Sequence, residues 1–171
     1  IVTGEEIHFR ISRGKISHVP VGELTGILKE QIQQNGSWLL KYNQHEGVIG
    51  PVDGYRLKYV VARERLSVVD ELRSGPGAVR IGVSELVILP DSGLQEERVP
   101  ASLQRGGLVD RRLNALSPGS PVTLWVYPDS FAEYRQVTAF ARRNGFIVAG
   151  RPLPTGMPIT GSTHGSKSVA Q

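Results

Sequence analysis

The stretch from Val122 to Ala149 constrains this chain more than any other. Val122 to Tyr127 has strand composition, Pro128-Asp129 is a short connection, Phe131 to Arg143 has helical periodicity, and Phe146 to Ala149 resumes an extended run. Three signals bound the helix: Ser130 and Glu133 at capping-box spacing, Arg142-Arg143 at the negative end of its dipole, and Asn144-Gly145 as a stop. A β-α-β unit follows, with Phe131, Tyr134, Val137 and Ala141 as its buried stripe and Phe140 at the margin. If the two strands are parallel neighbours, their crossover is right-handed.

The beginning of the chain is almost as explicit. Ile7, Phe9 and Ile11 alternate with His8 and Arg10, Ser12-Arg13-Gly14-Lys15 supplies a turn, and Ile16 to Val19 runs back, so a hairpin is expected. Pro20 ends it. Val21, Leu24, Ile27, Leu28 and Ile32 then form a helical stripe that stops at Asn35-Gly36. The opening reads β-β-α.

The middle is less regular. Trp38 to Tyr42 suits a short strand or an extended link, and Asn43 to Gly54 is rich enough in glycine and polar residues to predict a surface loop. Tyr55, Leu57, Tyr59 and Val61 alternate with their neighbours as a second clear strand. Glu64 to Leu72 fits helix and strand equally, and Ser74-Gly75-Pro76-Gly77 is a turn. Val79 to Leu89 predicts one long bent strand, or two broken near Ser84-Glu85. Leu94 to Arg105 is polar and irregular, and Leu108 to Leu116 suits a short helix.

These elements predict an α+β fold: a mixed sheet with a β-β-α opening, central strands, and a C-terminal β-α-β unit. Residues 1–150 form one domain in this reading. Residues 151–171 form a Pro/Gly/Ser-rich extended tail, because Pro152, Pro154 and Pro158 give way to glycine, serine and threonine without periodicity. A chain of 171 residues, 39% hydrophobic and 21% charged, is globular in composition and can bury roughly two-thirds of its unfolded surface. No apolar run approaches the roughly 18 residues of a membrane span.

The search for chemistry returns mostly exclusions. With no cysteine, disulfides, thiol nucleophiles and thiolate zinc sites are ruled out together, and cytoplasm and periplasm both remain open. His8, His18, His45 and His164 lack metal-ligand spacing, although His8 and His18 could approach across the hairpin. Asp129-Ser130 imitates a nucleophile elbow but lacks its flanking glycines. The segment from Gly161 to Ser168 has the composition of a phosphate-binding loop without its spacing. Asp53, Glu85 and Asp129 could converge as carboxylates, though no spacing recommends a pair. No cofactor is expected.

The net charge of +4 is dispersed, fifteen arginines and five lysines forming no dense patch, so nucleic-acid binding is disfavoured. The leading expectation is a non-catalytic interaction or structural domain that contacts a protein partner or itself through a sheet edge and the tail. The alternatives are an enzyme with a dispersed site at the strand-helix junction, where Tyr127, Asp129 and Tyr134 are the candidate cleft residues, or a weak nucleic-acid binder through scattered arginines.

Tyr127-Pro128-Asp129-Ser130-Phe131, Arg151-Pro152-Leu153-Pro154 and the ending from Gly161-Ser162 to Ala170-Gln171 resemble a family of uncharacterised bacterial proteins. The resemblance implies no activity. It implies a longer chain whose upstream segments include an anchor or coiled coil, as expected where Ile1-Val2-Thr3 is neither a start nor a signal peptide. Glu6 to Gln34 and Val122 to Gly150 are faintly similar to the periplasmic domain of TonB- and Tol-associated biopolymer-transport proteins, from which the long middle and the tail depart. An envelope-associated protein is what these likenesses imply.

Overall fold

A computed structural model describes residues 6–35, 43–64, 66–75 and 80–161. The expected strand at Trp38 to Tyr42, Pro76-Gly77 of the expected turn, and the glycine-serine ending with His164 lie outside the described residues. Strands β1 (Ile7–Ser12) and β2 (Lys15–Val19) form the expected hairpin. Arg13 and Gly14 both have positive φ, 54° and 71°, the primed two-residue turn whose twist matches the strands. Helix α1 (Val21–Gln34) follows and buries Leu24 and Leu28.

The expected loop at Asn43 to Gly54 is instead a strand, β3 (Gln44–Val52), paired antiparallel with β4 (Tyr55–Glu64) through an Asp53-Gly54 turn. Its glycines mislead for a physical reason. Gly47 lies under the ring of Tyr59, where an added Cβ would sit 2.3 Å from the tyrosine oxygen, and Gly50, at φ 100°, occupies the register shift between Ile49 and Val52. Both are close-approach or irregular positions within a ladder.

The ambiguous segment resolves into helix α2 (Val68–Ser74), whose Ser67 oxygen accepts from the Asp70 N–H at 3.3 Å. Strand β5 (Arg80–Pro90) is one continuous strand. It carries a bulge at Ser84, since Val60 pairs with Glu85 but Val61 pairs with Val83, and the Ser84 hydroxyl donates to the Val60 carbonyl at 3.1 Å. The stretch expected to be irregular holds β6 (Glu97–Arg98) and a single turn, α3 (Val99–Ser102), before α4 (Leu108–Asn114).

Strand β7 (Pro121–Val126), a 3-10 turn (Pro128–Ser130), α5 (Phe131–Arg143) and β8 (Ile147–Pro152) complete the anticipated unit, with β7 and β8 parallel neighbours. Two details differ. Ser130 does not cap α5: its hydroxyl accepts from the Gly14 N–H at 3.0 Å and donates to Asp129 at 2.8 Å, because the 3-10 turn places it against the β1-β2 turn. Val137, Thr138 and Ala141 are the buried positions of α5, whereas Phe131 is 43% exposed. The C-terminal stop is as expected: Gly145 has φ 84°, and the Phe146 N–H reaches back to the Ala141 carbonyl at 3.1 Å.

The opening and closing units build one mixed sheet, ordered β6-β2-β1-β7-β8. The central strands form a sheet of their own, antiparallel and ordered β3-β4-β5-β9, where β9 (Ile159–Gly161) pairs with Leu86 to Ile88. The first part of the expected tail, residues 151–161, therefore leaves the edge of one sheet and joins the edge of the other.

Two apolar cores result. Phe9, Ile11, Ile16, Leu124 and Val126 on one face of the mixed sheet pack with Val99, Val109, Leu113, Val137 and Ala141. The opposite face, through Val19 and Trp125, meets Tyr55, Leu57, Val61 and Ile88 of the second sheet and Leu24 and Leu28 of α1. Each large buried aliphatic or aromatic side chain contributes about 1.5–3 kcal/mol, so both cores are needed.

Candidate functional site

The residues anticipated at the strand-helix junction do not converge. Leu124 and Val126 point to the helix side of the mixed sheet, so Tyr127 falls on the other side. There its hydroxyl donates to the Met157 carbonyl and its ring lies 5.1 Å from the Arg10 guanidinium carbon. Tyr134 projects from α5 on the helix side, over β8, where a Cβ added at Gly150 would meet its hydroxyl at 2.3 Å. Asp129 is exposed at the end of the sheet and accepts from the Arg13 N–H at 3.1 Å and from Ser130. The Ser130 hydroxyl and the Arg13 N–H hold its carboxyl below the usual range. Tyr127 locks the crossing segment, Asp129 locks a turn, and Tyr134 covers a strand.

A polar layer between the sheets was invisible to pattern reading. Arg10, which alternation assigns to the solvent side of β1, faces the second sheet with its side chain only 12% exposed. Burial opposes its charge, but Tyr55, Tyr127 and Glu96 outweigh that and raise its pKa. Glu96 lies 3.7 Å from Arg10, too far for a hydrogen bond, and Arg10 Nε and Glu96 Oε2 are buried without a hydrogen-bond partner among the described residues. Tyr55, fully buried, shares a hydrogen bond with the Ser17 hydroxyl, and burial raises its phenol pKa against the pull of Ser17 and Arg10. The Ser17-Tyr55 hydrogen bond bridges the two layers.

The two hairpin histidines have separate environments. Trp125 Nε1 donates to His8 Nδ1 at 3.1 Å, so the neutral ring carries its proton on Nε2, 3.5 Å from Glu6. Burial lowers the His8 pKa; Glu6 opposes this, and Arg151 and His18 add to it. His18 lies beside Phe9 on the other face and contacts Asp53 at 3.2 Å, while Arg112 reaches the same carboxylate oxygen at 3.3 Å. Burial and then Arg112 lower the His18 pKa against the pull of Asp53 and Glu23.

His18, Asp53 and Arg112 line a cavity of about 330 Å³ together with Gly54, Gly93, Gln95 and Leu108. An aspartate that orients an imidazole is half of a nucleophilic device, but among the described residues no hydroxyl-bearing side chain lines this cavity. Asp53 Oδ2 meets both the His18 ring and the Arg112 guanidinium, so the arrangement ties β2, the β3-β4 turn and α4 together. Among the described residues, no group of three or more histidine, aspartate or glutamate side chains is placed to hold a metal ion.

What the molecule presents to solvent is more distinctive. Helix α2 buries none of its residues, and Val68, Val69 and Leu72 are 74%, 59% and 82% exposed. Edge strand β8 is exposed at five of its six positions, including Ile147 at 66%. No described helix is long and apolar enough to cross a membrane. Comparison of the chain with protein-family models, with curated proteins and with solved structures gives no match.

Proposed function

We propose that this domain is a non-catalytic protein-interaction module within a larger protein. The observation that carries it is α2. A seven-residue helix is marginal alone, yet this one is held by its Ser67 cap, by Asp70 and Glu71 in the first turn and by Arg73 in the last. Local interactions thus maintain a helix whose apolar stripe, Val68, Val69 and Leu72, is largely exposed. Burying those three side chains against a partner is worth several kcal/mol at about 1.5–3 kcal/mol each.

Edge strand β8 supports the same reading. Leu153 donates to the Val126 carbonyl on β7 at 2.8 Å, so by alternation Val148 and Gly150 direct their backbone groups away from β7, as strand addition requires. The test is co-purification of the full-length protein from its own cells, wild type against Val68→Asp/Leu72→Asp. We expect a defined partner or a self-associated form with the wild type and its loss in the variant, whose circular dichroism stays unchanged. Neither bait retaining anything, or both retaining the same proteins equally, would refute the proposal.

A further inference from the structure

We propose that the outer face of the four-stranded sheet docks a second copy of this chain, face to face, about a two-fold axis that crosses the strands. This rests on the reading of the domain as an interaction module and names one partner for it. An antiparallel sheet with one face on the core normally shows polar side chains on the other. Here the outer face is mixed: Val48, Val60, Val87 and Leu89 stand among Glu46, Lys58 and Glu85 around a shallow concavity of about 560 Å³, with Val48 53% exposed.

The charges are arranged in rows. Pairing across the strands puts Val48, Lys58 and Val87 in one row and Glu46, Val60 and Glu85 in the next. Arg56, opposite Leu89 in the row beyond Lys58, is engaged by Asp91 at 2.8 Å. Glu46, Lys58 and Glu85 take part in no ion pair among the described residues. The face therefore has a lysine row beside a row with two glutamates, with no ion pair to either row among the described residues.

That pattern is self-complementary under one operation. An in-plane two-fold axis running perpendicular to the strands, between these rows, reverses the strand direction and lays each row on the other row of the partner. Lys58 then lies over Val60 of the second copy, between its Glu46 and Glu85, while Val48 and Val87 lie over those two glutamates. A two-fold axis running along β4, parallel to the strands, would instead set Lys58 against Lys58. Like charges brought together at an interface are strongly disfavoured, so the pattern selects the first arrangement.

The test is charge exchange at these exposed positions, read by sedimentation velocity on the purified chain. The wild type is expected to dimerise more strongly at low salt than at about 0.5 M salt. Lys58→Glu alone and Glu46→Lys/Glu85→Lys alone are each expected to weaken self-association at least about tenfold. Mixed together, the two variants restore a one-to-one dimer, because each then meets opposite charge; circular dichroism checks that both fold. A monomeric wild type at the highest attainable concentration, or variants that dimerise as well alone as mixed, overturns the proposal. Either result with the α2-dependent partner still retained removes only the sheet docking and leaves the interaction-module reading standing.

Discussion

The join between the sheets can be weighed at one hydrogen bond, Ser17 to Tyr55. Ser17 is 1% exposed and Tyr55 fully buried, so neither hydroxyl has water to fall back on. Tyr55→Phe keeps the ring and its packing but leaves the Ser17 oxygen without its partner. An orphaned buried hydroxyl costs about 1–3 kcal/mol, which for a chain of this size lowers Tm by roughly 2–4 °C per kcal/mol. Ser17→Ala removes the other half of the pair and orphans the buried Tyr55 hydroxyl, at a similar cost of about 1–3 kcal/mol. Removing both hydroxyls leaves no orphan on the serine side, so the double variant should be more stable than the two single losses summed, with a coupling of about 1 kcal/mol. Urea unfolding followed by far-UV circular dichroism measures all four proteins. Losses that add to within about 0.3–0.5 kcal/mol would refute the reasoning, because they would show that the two side chains do not meet.

Three further outcomes follow from the same structure. Gly107→Ala puts a Cβ 2.4 Å from the Ala101 carbonyl oxygen and 2.5 Å from that of Ser102, backbone that cannot step aside, so about 1–3 kcal/mol should be lost in urea unfolding. Gly106→Ala, in open space at φ 81°, meets only backbone strain of about 1–2 kcal/mol, and the reverse order would contradict the packing of α4 on α3. Leu124→Ala, in the helix-side core, should cost about 2–5 kcal/mol, whereas Leu72→Asp on exposed α2 should stay within about 0.5 kcal/mol of wild type; comparable losses would mean that α2 is packed. Burial holds His8 and His18 below their ordinary pKa of 6.5, so the unfolded chain binds their protons first and stability falls as pH drops through that value. The urea midpoint should therefore decline between about pH 7.5 and about pH 5.5, and less steeply in His8→Gln/His18→Gln; an equal decline in both proteins would assign the effect elsewhere.

The elements with local punctuation were legible in the sequence. The β1-β2 turn, α1, β4 and the unit from β7 to β8 each carry their own periodicity and stop signals, and each is found where those signals put it. What pattern could not supply was the identity of the surface opposite each face. Arg10 and Ser17 occupy positions that alternation gives to water, and only the second sheet, distant in sequence, makes them interior. The same gap hid β3, because the reason for Gly47 is a tyrosine twelve residues away, and it hid β9, whose partner is β5. Tyr127, Asp129 and Tyr134 are close in sequence and part ways because alternation along β7 turns Tyr127 to the second-sheet side, while Asp129 lies in the 3-10 turn and Tyr134 on the helix that covers the opposite face. The exposed stripe of α2 could have been found: Val68, Val69 and Leu72 were readable as one helical face, but only the structure shows how exposed it is.

The central claim, that this domain works by contact through surfaces it leaves uncovered, is tested most directly by site-specific photo-cross-linking of the full-length protein in its own cells. A photoreactive residue at Leu72 should give a discrete protein adduct. One at Lys29, on the exposed side of α1, should give none. Absence of any adduct at Leu72, or an equal yield of the same adducts at Lys29, would contradict the account.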